Sequence, residues 1–284
     1  MNRAMGVPAP TARLFAGEKW LVLTGLLGFV LAGVCAVWVL LYGGPVALEG
    51  DVAKAFSFNA ALGLFLLSTA AVAPFSALAP RSRSLFRWSY IVLALYSYLA
   101  ETVQHFRGVN PRFPKDGSMF DDAVGMGFAV VALLLVLLYA YFAASFFRAA
   151  AYRRHPQFIL GIRYSMIAIL LSFAAGVWIS ANQGRFVGLE GNIIWLHGLG
   201  FHALQVLPLA AWLMARRFGG RGWVHLSGLA FLLGLTAIGR QTMLGSSIFE
   251  WSLLPVVAAC CFAVSLAPLA VTLAPGRSSA GVAS

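Results

Sequence analysis

The sequence predicts an all-α fold, a polytopic membrane helix bundle of eight transmembrane helices arranged as two tandem four-helix repeats of the same orientation. Three observations lead there: a composition poor in charge, a series of membrane-length apolar runs, and similarity between the two halves of the chain. Of 284 residues, 61% are hydrophobic and only 10% are charged, whereas an ordinary soluble domain carries about 25% charged residues.

Crossing about 30 Å of hydrocarbon takes roughly 20 apolar residues in a helix. Runs of that kind lie at 20–43, 57–79, 86–107, 122–149, 158–182, 193–215, 223–243 and 249–273. The first is too long for the core of a signal peptide, and Val34 between Gly33 and Cys35 spoils a lipoprotein cleavage reading. It is expected to stay as the first span.

The formal charge of +11 invites a nucleic-acid reading, since clustered basic residues are its usual footprint. Here the basic residues follow the loops instead. With a cytoplasmic amino terminus, 14 of the 20 lie on inner segments, among them Arg3, Arg81, Arg83, Arg87, Arg153, Arg154, Arg216, Arg217 and Arg277. Lys54, Arg107, Arg112, Lys115, Arg185 and Arg240 are outer. Lys and Arg near span ends are retained on the cytoplasmic side, so both termini are expected there, and nucleic acid is not an expected partner. Glu49, Asp51, Asp116, Asp121, Asp122, Glu190 and Glu250 fall on the outer side. With 17 Arg against 3 Lys and abundant Ala and Gly, the expected location is a bacterial cytoplasmic (inner) membrane. Cys35, Cys260 and Cys261 lie within apolar spans, where cysteine acts as a small hydrophobe; they suggest neither a disulfide framework nor a zinc motif.

Self-similarity supplies the domain organisation. "KWLVLTGLLGFVLAGV" from Lys19 resembles "RYSMIAILLSFAAGV" from Arg163, "VALEGD" at 46–51 matches "VGLEGN" at 187–192, and "VAPFSALAPRSR" at 72–83 parallels "VLPLAAWLMARR" at 206–217. The expected divisions are a cytoplasmic tail 1–16, a four-helix repeat 17–149, a basic linker 150–157, a second repeat 158–275 and a tail 276–284. Four spans return the chain to its starting side, so the halves share one orientation. The last alignment sets His197 and His202 opposite Gly63 and Ser68, leaving the histidines to the second half alone.

Ionisable side chains inside a bilayer are costly and point to function by default. Glu101 and His105 in "YSYLAETVQHFRG" are four apart, hence on nearly one helical face. Counting inward from the outer end, Glu101 lies about 9 Å deep, His105 about 3 Å, His197 about 6 Å and His202 about 13 Å. His105 could therefore meet His197, and Glu101 meet His202, provided the third and sixth spans are neighbours. Gly198 and Gly200 leave room beside the histidines for another helix or a flat ligand. The histidines of the sixth span are five apart, about 140° around a helix, so one metal ion would need a ligand from the other half. Gln104, Asn182 and Arg240 at outer span ends, with Gln205 inside the sixth span, are the expected substrate-binding groups. Such arginines also simply snorkel to the interface. Ser118 and Asp121 resemble a capping box.

Nucleotide-driven transport and zincin proteolysis lack their sequence parts, because GxxxxGK[ST], HExxH and CxxC are absent. The leading expectation is a polar intramembrane site facing the outer leaflet or periplasm that binds or transforms a small or lipid-like substrate. Glu101 and His202 would be the catalytic pair, with His105, His197 and His202 as proton carriers or as ligands of a metal or haem. The alternatives are a proton-coupled small-molecule transporter and a structural or assembly subunit of a membrane complex. The lipid bilayer is the one partner expected in every case, and the oligomeric state stays open.

Overall fold

The computed structural model describes residues 13–115, 117–217 and 220–273. Arg3, Asp116, Arg277 and most of both expected tails lie outside the described residues. The chain divides into two compact units at Ala151/Tyr152, and each is described by itself.

The first unit contains α1 (Lys19–Tyr42), a hairpin of β1 (Pro45–Val46) and β2 (Gly50–Asp51), then α2 (Val52–Val72), α3 (Pro80–Phe106) and α4 (Met119–Phe146). A short α5 (Ala149–Tyr152) straddles the division. The second unit contains α6 (Pro156–Ala181), a hairpin of β3 (Phe186–Val187) and β4 (Gly191–Asn192), then α7 (Ile193–Arg217), α8 (Gly222–Met243) and α9 (Leu253–Leu273). Helices α1–α4, α6 and α8 start slightly before their apolar runs, and polar caps begin two of them. Asp51 accepts a hydrogen bond from the Ala53 N–H at 3.0 Å ahead of α2, and Ser118 and Asp121 close a capping box ahead of α4.

Seven described helices are long and apolar enough to cross a membrane: α1, α2 with the turn that follows it, α4, α6, α7, α8 and α9. This is a multi-pass helical membrane protein. The run at 86–107 corresponds to α3, which does not meet that measure; Arg87, Glu101, Gln104 and His105 together with its serines and tyrosines make it more polar on average. Its polarity is turned inward. Ser97, Glu101, Gln104 and His105 are buried, while Leu85, Trp88, Val92, Leu95, Leu99 and Val103 form an exposed apolar stripe at helical spacing. Its 27 residues give a length of about 40 Å. It runs beside α1 in the same direction from Arg87 to Phe106. Arg87 meets Glu18, Trp88 meets Trp20 at 5.8 Å, the Tyr98 hydroxyl sits against Gly28, and Phe106 meets Trp38 at 5.1 Å.

The end of unit 1 remote from the hairpin is closed by charge and aromatic packing. Glu18 is fully buried and accepts from Arg87 Nε at 2.6 Å and Nη2 at 3.1 Å, with Arg83 at 3.3 Å. Above this clamp, Phe65, Phe86, Tyr90, Tyr139, Phe142 and Phe146 pack ring on ring, with Phe86 and Phe142 stacked at 4.4 Å.

The two hairpins have the same construction. Pro45 pairs with Asp51 and Val46 with Gly50, as Phe186 pairs with Asn192 and Val187 with Gly191. The residue after the first strand has positive φ in both, 49° at Ala47 and 59° at Gly188. Glu49 donates its N–H to the Gly108 carbonyl at 3.2 Å, and Glu190 donates to the Gly245 carbonyl at 2.9 Å. Gly50 lies against Gly108 Cα and the His105 carbonyl, and Gly191 against Gly245 Cα and the Thr242 carbonyl, leaving no space for a Cβ in either place. The hairpin is thus clasped to the end of α3 in one unit and of α8 in the other.

Counting from these hairpins, His197 is level with Phe56 and His202 with Ala61, each pair standing five and ten residues beyond Asn192 and Asp51. That replaces the alignment with Gly63 and Ser68. The difference is seven residues, about two helical turns, and a two-turn slip preserves an apolar pattern.

Candidate functional site

At the hairpin end of unit 1, three chain segments converge on Glu101, which is 1% exposed. His105 stands one turn further along α3, with Nε2 3.4 Å from Glu101 Oε2. The loop 107–118 returns over the unit and delivers Arg112, whose Nε donates to Glu101 Oε1 at 2.6 Å. Arg112 is held between Phe58 of α2 and Phe128 of α4, with ring centroids at 5.4 and 5.3 Å. A guanidinium on aromatic faces gains a cation–π attraction while its fork remains directed at the carboxylate.

The hairpin fixes the tautomer of His105. The Asp51 backbone N–H points at Nδ1 across 3.1 Å, and a backbone N–H can only donate. Nδ1 is therefore the acceptor and the imidazole proton sits on Nε2, on the Glu101 side. Glu101 Oε2 has no aligned hydrogen bond among the described residues, so a buried carboxylate oxygen retains capacity to accept.

Around this centre the loop is fastened by further polar links. Glu49 accepts from the Lys115 N–H at 3.1 Å, and Asn110 accepts from the Arg112 and Phe113 N–H groups at 3.0 and 3.2 Å. Gln104 donates to Asp121 at 2.8 Å, and Arg107 meets the same carboxylate at 2.6 Å. Gln104 thus ties α3 to α4, and Asp121 serves as more than a helix cap. An open cleft of about 110 Å³, lined by Ala47, Leu48, Glu49, Gly108, Val109 and Gly117, lies between hairpin and loop.

In unit 2 the expected site residues have more local partners. His197 donates Nδ1–H to the Ser172 carbonyl of α6 at 2.7 Å and packs edge-on against Phe201. His202 is exposed and meets Gln205, one turn along, at 3.2 Å. Asn182 donates to the Gly184 and Phe186 carbonyls at 3.1 and 2.7 Å, holding the approach to β3. Arg240 is exposed in the last turn of α8, while the adjacent Gln241 reaches Glu250 at 3.2 Å. The two glycines between the histidines differ in use. Gly200 is pressed against Ser172 and the Ala168 carbonyl, where a side chain would collide, whereas Gly198 faces open space.

Glu101 and His105 therefore stand together on α3, with Arg112 and the Asp51 N–H as partners from the same unit. Among the described residues, no group of three or more His, Cys, Asp or Glu side chains is gathered as a metal ion would require. Sequence reasoning passed over Arg112 as Glu101's partner, the Asp51 N–H and the Glu18 clamp. The one available hint for Arg112 was an acid inside a span with a basic residue in the following loop.

Fold and site define a multi-pass helical membrane protein with a buried Glu–His pair neutralised by a loop arginine. No protein-family model, curated protein or solved structure matches the chain.

Proposed function

We propose that the chain is an eight-span protein of a bacterial cytoplasmic membrane, built from two tandem four-helix halves of one orientation, whose first half binds or transforms a small or lipid-like molecule at Glu101, His105 and Arg112. The hairpins and the 107–118 loop face outward, and both termini are cytoplasmic. The distribution of basic residues supports that orientation, and the apolar outer stripe of α3 supports its role as the eighth span.

The observation that carries the functional reading is the difference between two matching frames. Gln104 reaches Asp121 as Gln241 reaches Glu250, and both hairpins are clasped through the same glycine contacts. At the positions level with Glu101 and His105, counted from Gly108 and Gly245, unit 2 has Ile238 and Thr242. The frame closes without an ionisable pair. A buried ion pair is in general no more stabilising than well-packed apolar residues, so retaining one beside Arg112 favours a chemical use. Glu101 serves as the acid–base group, His105 carries its Nε2 proton beside it, and the exposed side of Arg112 receives a negatively polarised group.

A transporter needs polarity through both membrane halves. In unit 1 the aromatic cluster separates the Glu101 region from the Glu18 clamp, which favours a one-sided site.

The test compares organic-solvent extracts of the purified protein with those of a variant carrying the second unit's residues, Glu101→Ile with His105→Thr, by mass spectrometry. A small molecule or lipid enriched with the wild type and lost from an equally stable variant supports the proposal. Identical extracts, or retention of the variant in a tight complex with a partner protein, overturn it in favour of an assembly role.

A further inference from the structure

Five buried polar atoms of unit 1 have no hydrogen-bond partner among the described residues; besides Ser76 Oγ and Arg83 Nε these are the Tyr98 hydroxyl, Asn59 Oδ1 and Glu101 Oε2. The last three belong to one region. Tyr98, Glu101, Thr102 and His105 follow the spacing of a single α3 face. Asn59 reaches that face from α2, donating to Thr102 Oγ1 at 3.0 Å, and its amide stands 3.9 Å from Cys35 Sγ of α1. The Tyr98 hydroxyl lies where a side chain on Gly28 would be, and that same place borders the Asn59 carbonyl. From His105 to Tyr98 the file is about 10 Å long.

An unmet buried polar group is costly; Glu101 Oε2 has the His105 Nε2 side of the imidazole at 3.4 Å, while the Tyr98 hydroxyl and Asn59 Oδ1 have no partner. Proteins generally meet such groups with ordered water, which bonds two to four polar partners. Two acceptors and a hydroxyl, with the Thr102 oxygen beside them, form that kind of lining. At the hairpin end lies an open cleft of about 110 Å³, lined by hairpin and loop residues rather than by those of the file, and roomy enough for water. Toward the other end Phe65, Tyr90 and Tyr139 pack ring on ring, which leaves the hairpin end as the place for a mouth.

We infer that internal water occupies this file from the hairpin end past His105 and Glu101 to Tyr98, forming a hydrated half-channel that delivers protons to Glu101 from one face of the membrane. A proton from bulk water at the mouth passes along the file to Glu101 Oε2, neutralising the carboxylate while Arg112 keeps its charge; return follows the same route. The direction of the mouth rests on the orientation proposed above, but the presence of water does not.

Hydroxyl-radical footprinting of the purified full-length protein in H₂¹⁸O tests it with water as the probe. Tyr98 is 2% exposed, Tyr90 1% and Tyr139 0%, so surface exposure alone predicts equal protection. With internal water confined to the file, Tyr98 takes up label about tenfold faster than Tyr90 and Tyr139, and Asn59→Leu removes that excess. Unchanged protection of Tyr90 and Tyr139 in the variant shows that its fold is intact; if both become labelled, Asn59→Ser replaces it with a smaller polar residue, which must keep the wild-type contrast. Equal protection of all three tyrosines in the wild type overturns the inference. No ligand is required, so labelled Tyr98 with identical solvent extracts rejects the ligand site alone, and protected Tyr98 with a lost extract rejects the water file alone.

Discussion

The Asp51 backbone N–H donates to His105 Nδ1 across 3.1 Å, which makes the hairpin the element that orients the imidazole. Replacing His105 by Ala removes the acceptor and leaves that amide without its partner. Loss of one hydrogen bond of about 1 kcal/mol corresponds to about fivefold faster amide exchange. Hydrogen exchange over 45–51 should therefore accelerate, with 186–192 unchanged as the internal control. Equal exchange of both hairpins would mean that the bond contributes nothing to hairpin order.

The glycine contacts leave no space for a methyl group. Gly50→Ala and Gly191→Ala should each destabilise the purified protein by about 1–3 kcal/mol, the usual range for overpacking. Thermal unfolding in detergent measures this. A neutral effect at either position would show that the clasp can open without loss.

Removing Arg112 leaves Glu101 buried without its cation. Arg112→Ala is expected to cost about 3 kcal/mol, near the lower end for breaking a buried pair because the arginine side chain is 37% exposed. Adding Glu101→Ile should recover most of that loss, since it removes the stranded charge. A double variant no more stable than Arg112→Ala would locate the arginine's contribution in its packing between Phe58 and Phe128.

Ala47 occupies a left-handed conformation that its counterpart Gly188 adopts more easily, with φ of 49° and 59°. Ala47→Gly should stabilise by up to about 1 kcal/mol, read as a rise in Tm of about 2–4 °C. A fall in Tm would mean that the methyl group makes a favourable contact outweighing the strain.

Membrane sidedness is open to cysteine labelling. Leu48 and Leu189 are exposed at the two hairpin tips. With Leu48→Cys and Leu189→Cys in a background lacking Cys35, Cys260 and Cys261, an impermeant maleimide should label both from outside intact cells. Ser84→Cys should react only after permeabilisation. Labelling of one tip alone would break the common orientation of the halves, and outside labelling at Ser84 would remove α3 as a span.

Much of the helical framework was legible because apolar runs and polar caps are local signals. Ser118 with Asp121, and Glu101 with His105, could be read from spacing alone. The run at 86–107 was a harder case: α3 turns an apolar stripe outward and polar groups toward the interior of its unit, so averaging its residues hides the division. Arg112 was invisible because a loop's return path depends on tertiary packing, and the Asp51 N–H and Ser172 carbonyl were invisible because side-chain identity does not reveal main-chain partners. "VALEGD" and "VGLEGN" showed a likeness, but strands of two residues carry too little alternation to announce a hairpin.

The clasp joining each hairpin to the helix beside it uses glycine Cα atoms, amides and carbonyls almost throughout. Its shape is consequently insensitive to most changes in side-chain vocabulary. Two such frames can drift far apart in sequence, one acquiring charge and the other keeping to aliphatic residues, before their backbones register the divergence.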